Sequence, residues 1–230
     1  MGLTKSYLLT YNAAQFGIWS YAVFLTLKCI AQGNIDKVYA EAGLYVLIGQ
    51  TLMIMDVVHA ALKMIRSNPV TAFLQIVSRV YVCWAVMYPM TEDMGGFLRS
   101  PVVSSLYLAW GVTEMIRYSY YNLNMVNKVP YVLSWIRYNA FLPLYPIGVA
   151  SEMFFVIGSG FVYMLHGDVH PDPLRVRMPN CLNASYSSSV IDFTIACLYI
   201  PFFPVLYKHM LKQRKKFFAK TSPKKTVKTE

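Results

Sequence analysis

Apolar positions in this chain are grouped into long runs separated by short polar joints. The runs extend from Tyr7 to Ile30, Tyr39 to Ile65, Val70 to Met90, Val102 to Tyr121, Tyr131 to Leu165 and Val190 to Leu211. A membrane helix needs roughly 20 mostly apolar residues, so each run is long enough to cross a bilayer. The first is too long for a signal peptide, and no small-residue cleavage site follows it, so it reads as a retained span. The run from Tyr131 to Leu165 exceeds one straight crossing and is interrupted by Pro143, Pro146 and Gly148. The pattern predicts an all-α polytopic membrane helix bundle. It has six transmembrane helices, with seven as the alternative count, and a long Pro/Gly-broken fifth segment.

The polar joints give the bundle a direction. Loops on the cytoplasmic side carry an excess of Lys and Arg. With six spans, one side receives Lys5, Lys63, Arg66, Lys128 and the lysine-rich tail after Leu211. On the other side Asp36 balances Lys37, Glu92 and Asp93 exceed Arg99, and Asp168 and Asp172 balance Arg175 and Arg177. Both termini are therefore expected to be cytoplasmic. The tripeptide Asn183-Ala184-Ser185, a glycosylation sequon, falls on the opposite side. Residues 1–212 form the expected membrane domain, and 213–230 a basic, disordered cytoplasmic tail.

Composition sharpens this picture. The 230 residues are 56% hydrophobic and 14% charged, with a net charge of +10. Soluble domains carry about 25% charged residues. Disorder of the whole chain is excluded by the apolar and aromatic content. The positive tail reads as a solvated stop signal that meets anionic lipid headgroups, not as a nucleic-acid arm. Four cysteines are present without a C-x-x-C pair, which gives a zinc ribbon or a thioredoxin-like motif no support. Cys29, Cys83 and Cys197 lie in apolar runs as small core residues, and Cys181 lies in a polar loop. No cysteine is followed six positions later by arginine, so a cysteine-phosphatase loop is absent.

The informative minority is ionisable. Asp56, His59, Arg79, Glu114, Arg117, Arg137, Glu152 and Asp192 all fall within apolar runs. Such groups are costly at bilayer depth and face a polar cavity or a partner. Asp56 with His59, and Glu114 with Arg117, are three residues apart and share a helix face. Either they lock helices together or they line an internal polar chamber. Arg117 and Arg137 lie near span ends, where snorkelling is also open to them. Aromatic residues from Tyr118 to Tyr138 gather where an interfacial belt is expected.

One segment is unlike ordinary span sequence: Trp135-Ile-Arg137-Tyr-Asn-Ala-Phe141-Leu-Pro143-Leu-Tyr145-Pro146-Ile-Gly148-Val-Ala-Ser151-Glu152. It resembles the 3-hydroxyacyl-CoA dehydratases of very-long-chain fatty acid elongation, a family also described as protein-tyrosine-phosphatase-like. Further blocks carry the resemblance in order. Tyr7 to Trp19 is similar to the family's first span. Asp56 to Arg79 follows its pattern of carboxylate, His-Ala pair, Arg-Ser turn, then Gln and Arg. Trp110, Glu114, Arg117, Tyr118 and Tyr121 match its fourth span. The chain departs from the pattern with Asp56 in place of glutamate, Lys63 in place of glycine and Ser119 in place of proline.

The resemblance implies a lyase that converts (3R)-3-hydroxyacyl-CoA into trans-2-enoyl-CoA, the third step of the elongation cycle. It implies Tyr145 and Glu152 as the catalytic residues, with no metal and no cofactor. Arg79, Glu114, Arg117, Arg137 and Ser151 are then expected to bind substrate or support the pair. The implied setting is the endoplasmic reticulum membrane. The implied partners are the acyl-CoA substrate, membrane lipid and the other elongase enzymes (condensing enzyme and reductases), with no nucleic acid.

This β-elimination needs a base at carbon 2 and an acid at the carbon 3 hydroxyl, both positioned within hydrogen-bond reach. A carboxylate and a phenol suffice, because the thioester itself acidifies carbon 2. Glu152 is expected to take the carbon 2 proton and Tyr145 to serve the leaving oxygen; the exchanged assignment stays open. Seven residues bring two side chains to within about 20° on a helix, but about 10.5 Å apart along it. Pro146 and Gly148 therefore predict a kink or unwound turn that brings Tyr145 and Glu152 together. The phosphate-rich CoA head is expected at the basic cytoplasmic side. Two other classes compete: a catalytically silent scaffold of the elongase complex, and a transporter. A transporter predicts internal repeats with paired broken helices, and one broken segment without a repeat disfavours it.

Overall fold

The computed structural model describes residues 2–65, 67–90, 96–166, 174 and 187–221. Among these the chain is helical throughout its regular elements. They are α1 (Leu3–Ala31), α2 (Val38–Leu52), α3 (Ile54–Ala61), α4 (Pro69–Tyr81), a π-helical turn (Val82–Met87), α5 (Pro101–Met125), α6 (Tyr131–Asn139), α7 (Phe141–His166) and α8 (Ser188–Thr221), with short 3-10 turns at Ile35–Lys37 and Phe97–Arg99. Four helical stretches are long and apolar enough to cross a membrane: Leu3–Ala31, Ile35–Ala61, Phe141–His166 and Ser188–Ala219. A shorter apolar stretch, Ala72–Met87, joins α4 to the π turn.

Local sequence explains where the helices start and stop. Asn68 caps α4 by accepting the Val70 amide at 2.9 Å, and Pro69 opens the helix, where its missing N–H costs nothing. Ser100 and Pro101 do the same for α5, with the cap to Val102 at 3.2 Å. The exit from α3 is a Schellman motif. Met64 N–H donates to the His59 carbonyl at 2.9 Å and Lys63 N–H to Ala60 at 3.1 Å. Lys63 thereby sits at φ 56°, in the left-handed region that favours glycine. Asn127 takes the same position after α5, at φ 54°. Lys63 is the residue that replaces the glycine of the resembled pattern, and the turn shows why glycine suits that place.

The order of packing positions the site. α1 lies against α5 and α2, α5 against α7, and α7 against α8. The π turn after α4 packs on α7. Trp19, Trp110, Tyr118 and Phe155 are fully buried between these layers. α1 and α5 approach closely at Gly111, where a Cβ would run into the Val23 side chain. Cys29 and Cys83 are buried as expected, but Cys197 is exposed on α8.

The fifth run differs from expectation. It is two helices, α6 and α7, and the break falls at Ala140. α7 continues unbroken through Tyr145, Pro146, Gly148 and Glu152, so the unwound turn expected between Tyr145 and Glu152 is not formed. The reason is positional. Pro143 lies in the first turn, where its amide has no intrahelical partner, and Pro146 removes only one ladder bond. Packing of α7 on both α5 and α8 holds the helix through that gap. Gly148 is buried with its α-carbon toward Ala109.

α8 runs past residue 212, through Pro201 and Pro204, to Thr221. Its end is fastened to α6: Phe217 stacks on Tyr138 at 4.5 Å, and Arg214 Nε donates to Asn139 Oδ1 at 3.0 Å. Several expectations lie outside the described residues. They are the loop charges Glu92, Asp93, Asp168, Asp172, Arg175 and Arg177, Arg66, Cys181, the Asn183 sequon and residues 222–230.

Candidate active site

A cavity of about 1100 Å³ opens between α4, α5, α7 and α8, with α1 and α3 contributing at one end. On α7 its wall is the stripe Phe141, Leu144, Tyr145, Gly148, Val149 and Glu152, spaced three and four residues apart as one helix face requires. Tyr145 and Glu152 therefore share the cavity. They lie two turns apart on one helix, a rise of about 10.5 Å, with glycine between them. No hydrogen bond joins them among the described residues.

Glu152 is buried, and both of its oxygens are held. Trp110 Nε1 donates to Oε1 at 2.8 Å, and the Tyr199 hydroxyl donates to Oε2 at 2.6 Å. Charge-assisted bonds of this length are stronger than neutral ones and fix the carboxylate plane. Tyr145 is held by its ring. It stacks on Phe203 at 5.2 Å with planes 7° apart, and on Tyr207 at 6.1 Å. Tyr199, Phe203 and Tyr207 stand four residues apart on α8, so one aromatic stripe supports both candidate catalytic residues.

Beside this pair stands a network of charges. Glu114, with no solvent exposure, bridges Arg79 at 2.5 Å and Arg117 at 3.0 Å. Arg117 also pairs with Asp56. Asp56 accepts two further bonds, from the hydroxyls of Tyr11 at 2.8 Å and Tyr118 at 3.0 Å. The network joins α1, α3, α4 and α5, so these ionisable groups both lock helices together and line a chamber. Asp56 and His59 do not bond each other. His59 Nε2 meets the Tyr7 hydroxyl at 3.0 Å instead. Arg79 lies over the Trp110 ring, 5.8 Å from its centroid, so the indole that holds Glu152 is itself backed by a cation.

Arg137 is different. It lies over the rings of Tyr120 at 4.1 Å and Tyr121 at 5.2 Å. Its Nη1 is buried without a hydrogen-bond partner among the described residues. Ser151 does not line the cavity; its hydroxyl turns back to the Ile147 carbonyl at 2.9 Å. Asp192 is buried near the start of α8 and accepts from the Tyr81 hydroxyl at 2.6 Å.

The geometry thus gathers Arg79, Glu114, Arg117, Arg137, Tyr145 and Glu152 around one cavity and leaves Ser151 outside it. Sequence reasoning assigned no role to Tyr199, and none to Trp110 beyond its place in the fourth span. The signal for Tyr199 was its spacing: an aromatic residue every fourth position from Tyr199 to Tyr207 marks one face of the last helix. The arrangement offers an ordered carboxylate and a phenol in a common chamber, the requirement for moving a proton off one atom and onto another.

No solved structure matches this chain. Relatives do. The chain is 31% identical over 97% of its length to human "very-long-chain (3R)-3-hydroxyacyl-CoA dehydratase 2", covering 85% of that protein. It is 32% identical over 94% of its length to the Arabidopsis thaliana dehydratase PASTICCINO 2, covering 95% of it. It is 34% identical over 96% of its length to the Caenorhabditis elegans dehydratase hpo-8, covering 98% of it. Residues 50–220 match the family described as "Protein tyrosine phosphatase-like protein, PTPLA". The cysteine and arginine that a phosphatase loop needs have no counterpart at the required spacing in this sequence. With a family match across most of the chain and these identities along nearly all of it, the chain belongs to the protein tyrosine phosphatase-like family PTPLA.

Proposed function

We propose that this chain removes water from a (3R)-3-hydroxyacyl-CoA to give the trans-2-enoyl-CoA. The observation that carries the reading is the Glu152 carboxylate, held by Trp110 and Tyr199 in a cavity that Tyr145 also lines. A carboxylate that receives two hydrogen bonds is arranged as an acceptor, which suits the base. Glu152 takes the proton from carbon 2, and the electron pair of that bond forms the carbon 2–carbon 3 double bond. The carbon 3–oxygen bond breaks, and the leaving hydroxyl departs as water with a proton that Tyr145 supplies through cavity water, since the unbroken helix keeps the phenol about two turns from Glu152. Glu152 then carries a proton and Tyr145 a negative charge, and proton transfer through cavity water restores both. Positioned acids and bases contribute about 10²–10⁴-fold each. Gly148, between the two on the same wall, leaves the room in which the reacting carbons sit.

The CoA end is read at the mouth formed by Met64, Ile65 and Ser67 with Arg137 and Gln213. The partnerless Arg137 N–H supports this, since a buried guanidinium donor gains most from an anionic acceptor. We further read six crossings, made by α1, α2 with α3, α4 with the π turn, α5, α7 and α8. Both termini then face the cytoplasm from the endoplasmic reticulum membrane, where the condensing enzyme and reductases of elongation are the expected neighbours. The positive-inside balance of the sequence supports that orientation.

A second reading exchanges the phenols, because Tyr199 rather than Tyr145 touches Glu152. Purified protein given (3R)-3-hydroxyacyl-CoA tests both, with enoyl-CoA measured by mass spectrometry. Glu152→Gln and Tyr145→Phe should each abolish turnover while the helical content and melting of the protein are kept. Turnover near that of the unmodified chain in Glu152→Gln would sink the dehydratase assignment to this site. Normal turnover in Tyr145→Phe together with none in Tyr199→Phe would transfer the acid's role.

A further inference from the structure

The cavity is too short for the substrate it is read to hold. Its α7 wall ends at Glu152, and the next inward-facing residues, Phe155, Val156 and Ser159, are buried in the core. Beyond Glu152 the cavity lining reaches only Tyr81 on α4 and Ile195 on α8. A very-long acyl chain, continuing beyond the reacting carbons, exceeds the space that remains.

One side wall is not closed. α4 packs against α3, α2 and the π turn, and α8 against α7 and α6, yet α4 and α8 barely meet. Tyr81 and Asp192 tie them at the deep end, at 2.6 Å. A second tie, between Ser78 on α4 and the Tyr199 hydroxyl on α8, stands one turn nearer the mouth. Beyond it, towards the mouth, no hydrogen bond or ion pair joins α4 and α8 among the described residues. Two apolar stripes flank the gap: Leu74 and Val77 on α4, and Leu198, Phe202 and Val205 on α8. These residues line the cavity and are also between 42% and 63% exposed, so the chamber and the outer surface of the bundle are continuous there. The rim carries no charge. On a bundle in a bilayer, that surface faces hydrocarbon, where an alkyl chain loses nothing by leaving the protein.

We propose that the gap between α4 and α8 is a lateral portal through which the acyl tail leaves the cavity for the lipid. This rests on the dehydratase reading and adds to it where the tail goes. The protein grips the CoA end and the reacting carbons, and the bilayer holds the remainder. Chain-length tolerance then comes from the membrane and not from a measured pocket depth.

The full chain in lipid nanodiscs tests this. Leu74→Trp and Val205→Trp place bulk at the rim, on exposed positions outside the acid–base machinery. With a very-long-chain substrate, kcat/KM should fall by at least about tenfold, the worth of denying contact to two methylenes. With a short-chain substrate it should stay within about twofold. Equal losses for both substrates, or no loss for either, would overturn the portal. A second readout does not need turnover: Glu152→Gln protein is photolabelled with a very-long-chain 3-hydroxyacyl-CoA carrying a diazirine at its far end. Label on Leu74, Val205 or surrounding lipid supports the portal. Label on Tyr81 or Ile195, at the cavity's deep end, means that the tail coils inside and overturns the portal alone. Failure of the probe to bind saturably would overturn the portal and the substrate reading together.

Discussion

Tyr199→Phe removes one hydroxyl at the centre of the site, and with it the bonds to Glu152 and Ser78. The ring stays, so its packing on α8 is kept, and only the hydroxyl that stands 2.6 Å from Glu152 is lost. Trp110 still holds the other oxygen at 2.8 Å, so the carboxylate is freed to rotate about one remaining anchor. A hydrogen bond to a charged group contributes about 1.5–3 kcal/mol. Every 1.36 kcal/mol of transition-state stabilisation is tenfold in rate, so full use of the bond for positioning is worth about 10–150-fold. The expected result is a kcat lowered by that factor with KM little changed, because the bond orients a base and does not bind substrate. A substrate deuterated at carbon 2 gives the sharper signal. Proton removal by a badly aimed base becomes rate-limiting, and the isotope effect on kcat should rise. Unchanged kcat and isotope effect would refute the positioning account. Loss as complete as in Glu152→Gln would refute it too, and would make Tyr199 the acid.

The charge network and the Lys63 turn give two further tests. Glu114→Gln leaves Arg117 with Asp56 and takes from Arg79 the carboxylate it pairs with, and removal of one partner from a buried ion pair costs about 3–5 kcal/mol. Thermal unfolding in detergent should show that loss as a clearly lowered midpoint, and a change under about 1 kcal/mol would mean that the network is not an inter-helix lock. Lys63→Gly should raise the midpoint, since the left-handed conformation costs a residue with a β-carbon about 1–2 kcal/mol. Lys63→Val should lower it, and equal midpoints for the two variants would contradict the Schellman exit from α3.

The membrane character was legible because it is a one-dimensional property. A run of apolar residues long enough to span a bilayer is visible without knowing its neighbours. The seven-residue spacing that places Tyr145 and Glu152 on one face was equally local, whereas the caps at Asn68-Pro69 and Ser100-Pro101, local as they are, came only with the structure. The resemblance to the dehydratases rested on ordered blocks of residues and agrees with the named relatives. Proline misled the reading of α7. A proline removes one hydrogen bond, but whether the helix then unwinds depends on what packs against it, and α5 and α8 supply that support.

The sequence by itself determined that the chain is an oily helical bundle with a small, nearly balanced set of buried acids and bases. It also determined the family, because residue types in order are all that a resemblance needs. Only the tertiary structure decided which of those groups meet. Glu114 took Arg79 and Arg117, Asp56 took Arg117 with two tyrosines, and Ser151 turned away from the cavity. Tyr199 reached Glu152 across 47 positions of chain. Partners so distant in sequence are chosen by how helices pack, and no local pattern records that choice. The open side between α4 and α8 is of the same kind: an absence of contact between two helices, which exists only once the bundle has formed.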